Sequence, residues 1–230
     1  MIVSDPSAIF YLTGTWIHPG ERMLALRLSL TGRHVLFVNE LFSVPEALGV
    51  EAIWFNDTQD GAELLARYLD TEPIVGIDKN WPARFLLRLM ELQPSRRFVN
   101  ASPVLDRLRM RKDERERKLM REASRLNDLA IARVVALLPK LYSEKRLAQC
   151  VSEIYEELGA EGCAFETIIA YGPNAAESHH MPDRRVLDAG DCVVIDMGCR
   201  KDAYCSDMTR TVFYRQASPE ARSVYAVVLE

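Results

Sequence analysis

The chain has neither an excess of positive charge nor a long hydrophobic run. Of its 230 residues, 29 are Lys or Arg and 33 are Asp or Glu, which gives a formal net charge of −4. No basic field is therefore available to attract nucleic acid or an anionic membrane surface. No segment approaches the roughly 20 apolar residues that cross a bilayer, and residues 1–6 do not resemble a secretory signal. We expect a cytoplasmic protein with no nucleic acid and no membrane among its partners.

Cysteine is scarce and shows no metal-binding pattern. The five cysteines are odd in number and form no Cys-x-x-Cys pair, which argues against a disulfide framework and against a thiolate zinc ribbon. Reduced thiols are the expectation. Cys199 and Cys205 flank a predicted turn and could approach a metal ion, but ordinary packing is the stronger expectation for both.

Apolar residues are plentiful at 48% of the chain, enough for buried cores in one large or two modest domains. Residues 1–108 alternate strand-like and helix-like segments, which predicts an α/β domain. Alternating leucines at 24–30 predict a half-buried strand whose leucines face one side, and Thr31-Gly32 predicts a turn into a second strand. Further strands are predicted at 52–55, 74–77 and 97–99, and helices at 63–69 and 82–92.

A dense run of charges of both signs at 106–118 predicts a domain junction and the start of a helix. Apolar residues then recur at helical spacing from Leu119 until Pro139 ends the run. A second amphipathic helix is predicted from Ser143 to Leu158, and a strand at 165–170. Helices thus precede strands, which predicts an α+β domain over 109–230 whose helices cover one face of an antiparallel sheet.

The most informative stretch runs from Asp191 to Thr211 and predicts two strands joined by a polar turn. Because strand side chains alternate between faces, Asp207 and Thr209 are expected on one side of the second strand. If the strands pair antiparallel, Asp196 lies on that same face. Two neighbouring carboxylates favour a bound divalent cation, and Thr209 could orient one of them. An arbitrary pair of aspartates is more often simply a turn cap and an exposed side chain.

The residues around both aspartates resemble a known signature. Ile195–Gly198 and Tyr204–Thr211 closely resemble the paired-aspartate motif of the pita-bread metallopeptidases, the family of methionine aminopeptidase, aminopeptidase P and prolidase. The resemblance extends upstream through Phe165–Ala170 and Gly172–Ala176 to His179.

The resemblance implies a dinuclear metal centre. Asp196 and Asp207 would be its ligands, with Mn as the first choice and Co or Zn as alternatives. His179 would lie beside the metals, where an imidazole can donate a hydrogen bond to a substrate carbonyl or to a developing oxyanion. A loop histidine is more often merely exposed, and His180 is the neighbour with which His179 could be confused.

The N-terminal part has a resemblance of its own. Tyr11–Gly14, Glu21-Arg22 and Gly76–Asp78 resemble the N-terminal domain of creatinase, prolidase and aminopeptidase P. The resemblance implies a creatinase/prolidase-type α/β domain over 1–108, followed by a partial α+β pita-bread domain over 109–230. It also implies a metal-dependent exopeptidase that cleaves Xaa-Pro bonds. Its implied partners are proline-containing peptides and a second copy of the chain in a homodimer.

The sequence departs from the family pattern in several places. Glu177-Ser178 replaces the usual Leu-Pro before His179, and Ala203 replaces the usual Gly before a Tyr. The family needs one further His and two Glu ligands downstream, and the chain ends before them, within a helix predicted to begin at Ser218. The resemblance therefore implies a truncated chain that is inactive alone. Two alternatives stay open: a metal-free creatinase, and a non-catalytic pita-bread protein that binds a peptide or a protein partner.

Overall fold

The computed structural model describes residues 1–30, 33–45, 48–69 and 73–229. The chain divides into two compact units, residues 1–111 and residues 112–230. The domain ranges 1–108 and 109–230 stay a prediction. The predicted turn at Thr31-Gly32 lies outside the described residues.

The first unit is built around one mixed sheet. The strands are ordered β4-β3-β2-β1-β5-β6, and β2 pairs antiparallel with both β1 and β3, while the remaining pairs are parallel. The α/β prediction and the five predicted strands are confirmed. In chain order the described elements are β1 Ile2–Val3, α1 Pro6–Thr13, β2 Ala25–Arg27, β3 Val35–Asn39, β4 Glu51–Phe55, α2 Gly61–Ala66, β5 Ile74–Ile77, α3 Ala83–Leu92, β6 Arg97–Asn100 and α4 Ser102–Met110.

Strand β2 differs from the prediction of a half-buried strand. Leu24 and Leu26 do share one face, where they pack in a core with residues of α1 and α4. Met23 and Ala25 are buried on the opposite face, in a second core with residues of α2 and α3. The half-buried prediction was wrong because β2 is an interior strand of a sheet that is covered on both sides.

The second unit begins with two helices. Asp113 caps α5, and its side chain and that of Glu116 exchange hydrogen bonds with each other's backbone N–H groups. Ser143 caps α6 by accepting from the Arg146 N–H at 3.3 Å. Both predicted helices are confirmed. The elements are α5 Glu114–Leu137, a 3-10 turn at Leu138–Lys140, α6 Glu144–Glu157, β7 Ile168–Tyr171, a 3-10 turn at Gly172–Ala176, β8 Cys192–Met197, β9 Arg200–Lys201, β10 Tyr204–Cys205, β11 Met208–Phe213 and α7 Pro219–Leu229.

The main sheet of this unit has three antiparallel strands in the order β11-β8-β7. Apolar side chains of α5 and α6 pack with those of β7 and β8 in a single core, so the predicted α+β arrangement is confirmed. The strand predicted at 165–170 begins only at Ile168. The preceding residues bond elsewhere: Cys163 forms an isolated bridge with Cys199, and the Ala164 N–H donates to the Gly198 carbonyl at 2.8 Å.

The connection between β8 and β11 is more than a polar turn. It forms a small antiparallel pair of its own, β9 with β10. Asp202 and Ala203 lie at its tip with φ of 48° and 65°, the left-handed conformation that both central residues of a tight hairpin turn adopt.

None of the described helices combines the length and the apolar character needed to cross a membrane.

Candidate metal and catalytic site

The predicted pairing of the two site strands is present. In the antiparallel ladder of β8 and β11, Asp196 lies directly opposite Thr209. The neighbours of Asp196 in its strand, Ile195 and Met197, are fully buried in the core beneath α5 and α6. Because side chains alternate along a strand, Asp196 lies on the other face of the sheet, which the helices leave open.

Thr209 fixes the orientation of this carboxylate. Its Oγ1 donates a hydrogen bond to Asp196 Oδ1 at 2.8 Å. A hydroxyl that holds one carboxylate oxygen leaves the second oxygen free to bind a ligand, and such partners commonly orient metal-binding carboxylates.

Asp207 precedes β11 by one residue and is exposed. Its neighbours Ser206 and Met208 are turned inward: Ser206 is buried, and Met208 packs against the core. Alternation therefore places Asp207 on the open face, as the diagonal cross-strand neighbour of Asp196. Diagonal neighbours lie roughly 7–8 Å apart between Cα atoms, which is within reach of side chains that share one ligand.

The end of β8 is supported from behind by a buried polar chain. Asn127 of α5 donates its side-chain amide to the Met197 carbonyl at 2.9 Å, and the Tyr155 hydroxyl of α6 donates to Asn127 Oδ1 at 2.7 Å. Burial raises the pKa of the Tyr155 hydroxyl far above its usual value, so the hydroxyl keeps its proton and remains a donor. Asp196 thus projects from a strand that both helices hold in place.

The two adjacent histidines have different environments. His179 is exposed in the loop that follows the 3-10 turn, whereas His180 is 7% exposed and lies 2.8 Å from the Glu144 carboxylate through Nε2. Burial lowers the pKa of His180, but hydrogen bonds to Glu144 and Glu177 outweigh it, and the net pKa is raised. The structure brings Asp196 and Thr209 into contact. Among the described residues, no hydrogen bond or ion pair joins His179 to either aspartate.

Sequence reasoning missed Glu144. This residue opens α6, is fully buried, and accepts hydrogen bonds from several groups of the loop that carries His179. A Glu directly after a Ser at a helix start is common in exposed first turns, so the sequence carries no signal for its burial. Glu144, His180 and Asp183 also form the one group of three or more His, Cys, Asp and Glu found close enough to hold a metal within the described ranges.

Two family matches together span nearly the whole chain. Residues 118–230 match metallopeptidase family M24, and residues 1–111 match the creatinase/prolidase N-terminal domain.

Individual relatives agree with these matches. An uncharacterized peptidase of Staphylococcus aureus is 28% identical over 99% of this chain and 65% of its own length. The putative dipeptidase YkvY of Bacillus subtilis is 28% identical over 96% of this chain and 63% of its own length. The crystal structure of a prolidase from Thermococcus sibiricus superposes with a TM-score of 0.89 at 30% identity, over 99% of this chain and 64% of that one.

The chain spans about 65% of the length of the curated relatives it matches. Both the family matches and the superposition agree with a creatinase-type domain followed by a pita-bread domain. The chain therefore belongs to the pita-bread metallopeptidases of family M24, with a creatinase/prolidase N-terminal domain ahead of its pita-bread domain.

Proposed function

We propose that the chain is part of a dinuclear-metal exopeptidase that cleaves Xaa-Pro bonds. Asp196 and Asp207 are its proposed metal ligands, and His179 is its proposed catalytic residue. One observation carries the proposal: the two aspartates lie on the open face of the sheet, and Thr209 orients one of them at 2.8 Å.

The donor set fits hard divalent ions. Carboxylate oxygens suit Mn, which we propose as the metal, and they also serve in Co and Zn sites. Bound divalent ions would lower the pKa of a coordinated water and polarise the scissile carbonyl. Asp196 and Asp207 would hold the ions, and Thr209 would keep the Asp196 carboxylate turned toward them.

His179 has the exposure that a substrate-binding group needs. Its imidazole can donate a hydrogen bond to the carbonyl oxygen of a bound peptide and to the oxyanion that develops on that oxygen. Because this donor acts on the substrate and not on the metal ligands, its loss should lower turnover while the metal content stays constant.

Two findings support a proline-directed substrate. The N-terminal unit matches the creatinase/prolidase N-terminal domain, and the similar crystal structure from Thermococcus sibiricus is that of a prolidase. The chemistry is also suitable, because the nitrogen of an Xaa-Pro bond carries no N–H. Activation through the carbonyl oxygen does not depend on that N–H.

The assay uses a protein that contains this chain together with any residues that follow it. This protein should cleave Ala-Pro or Ala-Pro-Ala faster than Met-Ala-Ser. Replacement of His179 by Ala should lower kcat/KM by on the order of 10² with the metal content unchanged. Preference for the methionine peptide would refute the Xaa-Pro assignment. We expect no turnover by residues 1–230 alone, since two carboxylates are too few ligands for a dinuclear centre.

A cytoplasmic location and a homodimer are also proposed. All five cysteines are unpaired thiols, the state that a reducing compartment maintains. Light scattering of the purified protein would test the homodimer, and a monomer at micromolar concentration would contradict it.

A further inference from the structure

One buried carboxylate holds the loop that carries His179. Glu144 is the first residue of α6, and its side chain is completely buried. Residues 171–183, which we call the His179 loop, lie around this carboxylate. A carboxylate removed from water needs hydrogen-bond donors from the protein, and the His179 loop provides them.

Four donors reach the two oxygens of Glu144. Oε1 accepts from the Tyr171 N–H at 2.7 Å and from the side-chain amide of Asn174 at 2.9 Å. Oε2 accepts from His180 Nε2 at 2.8 Å and from the Asp183 N–H at 3.0 Å. These donors lie at the beginning, the middle and the end of the His179 loop. A single side chain therefore fixes the path of the whole loop.

His180 has a second anchor within the loop. Its Nδ1 lies 3.3 Å from Oε2 of Glu177, so acidic groups face both ring nitrogens, and Asp183 is the third acidic group nearby. The imidazole of His180 is thereby held inside the protein, while the adjacent His179 is left exposed. The contrast between the two histidines follows from the contacts of Glu144.

A metal ion is the other occupant that this group could accept. Three side chains each offer one ligand atom, and these atoms lie within 4.8 Å of one another: Glu144, His180 and Asp183. However, each Glu144 oxygen already accepts two hydrogen bonds, and a carboxylate oxygen has two lone pairs to share. A metal would have to displace the donors that order the loop, so the geometry favours a positioning role.

We propose that Glu144, together with His180, is a positioning residue that sets the location of His179. The proposal rests on the proposed function, in which His179 contacts the substrate. Glu144 itself is buried and acts only through the His179 loop.

The first test measures the order of the loop in the 230-residue chain. Glu144→Gln keeps the shape of the side chain but replaces one acceptor oxygen by an NH₂ group, which faces two donors. Amide hydrogen exchange should become about tenfold faster or more across the His179 loop and stay unchanged in β8 and β11. Glu153→Gln is the matched control, because Glu153 lies on the same helix, is exposed, and forms its ion pair with Arg146 rather than with the His179 loop.

The second test measures catalysis in a longer protein that contains this chain and shows peptidase activity. Glu144→Gln should lower kcat/KM by on the order of 10², the size expected when a catalytic group is displaced by about 1 Å. The loss should fall mainly on kcat, with metal content unchanged. His180→Gln should retain most of the activity because its amide can still donate to Glu144, whereas His180→Phe should not.

The outcomes separate this inference from the proposed function. Unchanged loop exchange in folded Glu144→Gln would overturn the inference whatever the peptidase result, as would a Mn²⁺ site centred on Glu144. If Glu144→Gln loosens the loop but the longer protein never cleaves peptides, the proposed function is wrong, and Glu144 then has no catalytic role through His179. If Glu144→Gln does not fold, Asn174→Ala and His180→Phe each remove one hydrogen bond to Glu144 and should loosen the same loop.

Discussion

The two sheets of this chain are covered in different ways. In the first unit, neighbouring residues of β2 are buried on opposite faces, Ala25 in one core and Leu26 in the other. In the second unit, β8 buries Ile195 completely and turns Asp196 to the open face. A sheet covered on both sides is a scaffold, whereas a sheet covered on one side can present polar side chains to a ligand. The sites for chemistry are therefore expected on β8 and β11.

The largest effects should distinguish the faces of these strands. Leu26→Ala and Ile195→Ala should each lower the free energy of unfolding by about 2–5 kcal/mol, because both leave cavities in a core. Ala25→Asp should also unfold the first unit, since its face of β2 is equally buried. Asp196→Asn should change stability by less than about 1 kcal/mol. Urea titration of all four variants would measure this, and a large loss for Asp196→Asn would contradict an open face.

A smaller effect is expected where the His179 loop begins. Gly172 has φ of 52°, and a Cβ there would lie 2.4 Å from Oδ1 of Asp191. That carboxylate is itself held by Arg185 at 3.2 Å and by the Asp188 N–H at 2.9 Å. Gly172→Ala should therefore cost about 1–3 kcal/mol of unfolding free energy. Gly20→Ala is the control, with φ of 55° and open space around it. An equal loss of unfolding free energy in both variants would mean that backbone strain alone, and not the clash with Asp191, causes the loss.

The buried carboxylates of the two units differ in their donors. Among the described residues, Asp78 in the first unit accepts from groups that do not titrate, on Ser4, Asp5 and Asn80, while Glu144 accepts from His180. Because the folded-state pKa of His180 is raised, its contribution to stability is fully present below the unfolded value of about 6.5 and is lost as the pH rises through the folded value.

Hydrogen exchange at different pH values would test this difference. After correction for intrinsic exchange rates, protection of the His179 loop should fall in the wild type as the pH rises above about 6.5. It should fall less in His180→Gln, and protection around Asp78 should not follow the same titration. An identical pH profile in the wild type and in His180→Gln would mean that His180 does not control the loop.

The smallest predicted change in stability concerns non-glycine residues whose backbone is in the left-handed conformation. In the described part of the first unit this conformation falls on glycines, whereas the second unit also places Asp202 and Ala203 in it. A non-glycine residue there costs roughly 1–2 kcal/mol, part of which the added flexibility of Gly offsets in the unfolded chain. Ala203→Gly should therefore raise stability by about 0.5–1 kcal/mol in thermal unfolding. A loss of stability would contradict the strained turn.

The sequence predicted most of the architecture because its patterns were local. Alternation alone placed Asp196 and Thr209 on one face of a strand pair, and the helical spacing after Leu119 predicted α5. The burial of both faces of β2 escaped prediction because Ala25 is too small and neutral to mark a buried face. Glu144 escaped for a different reason: its four donors come from residues 27–39 positions away in the chain, and no local pattern records such contacts.

The most direct test of the central claim is the location of bound Mn²⁺ on residues 1–230. Paramagnetic broadening of backbone amide signals during a Mn²⁺ titration would map the ion onto the structure. We expect weak binding, with broadening centred on Asp196, Asp207 and Thr209, that Asp196→Asn and Asp207→Asn each reduce. Broadening centred on Glu144, or binding that neither substitution affects, would contradict it.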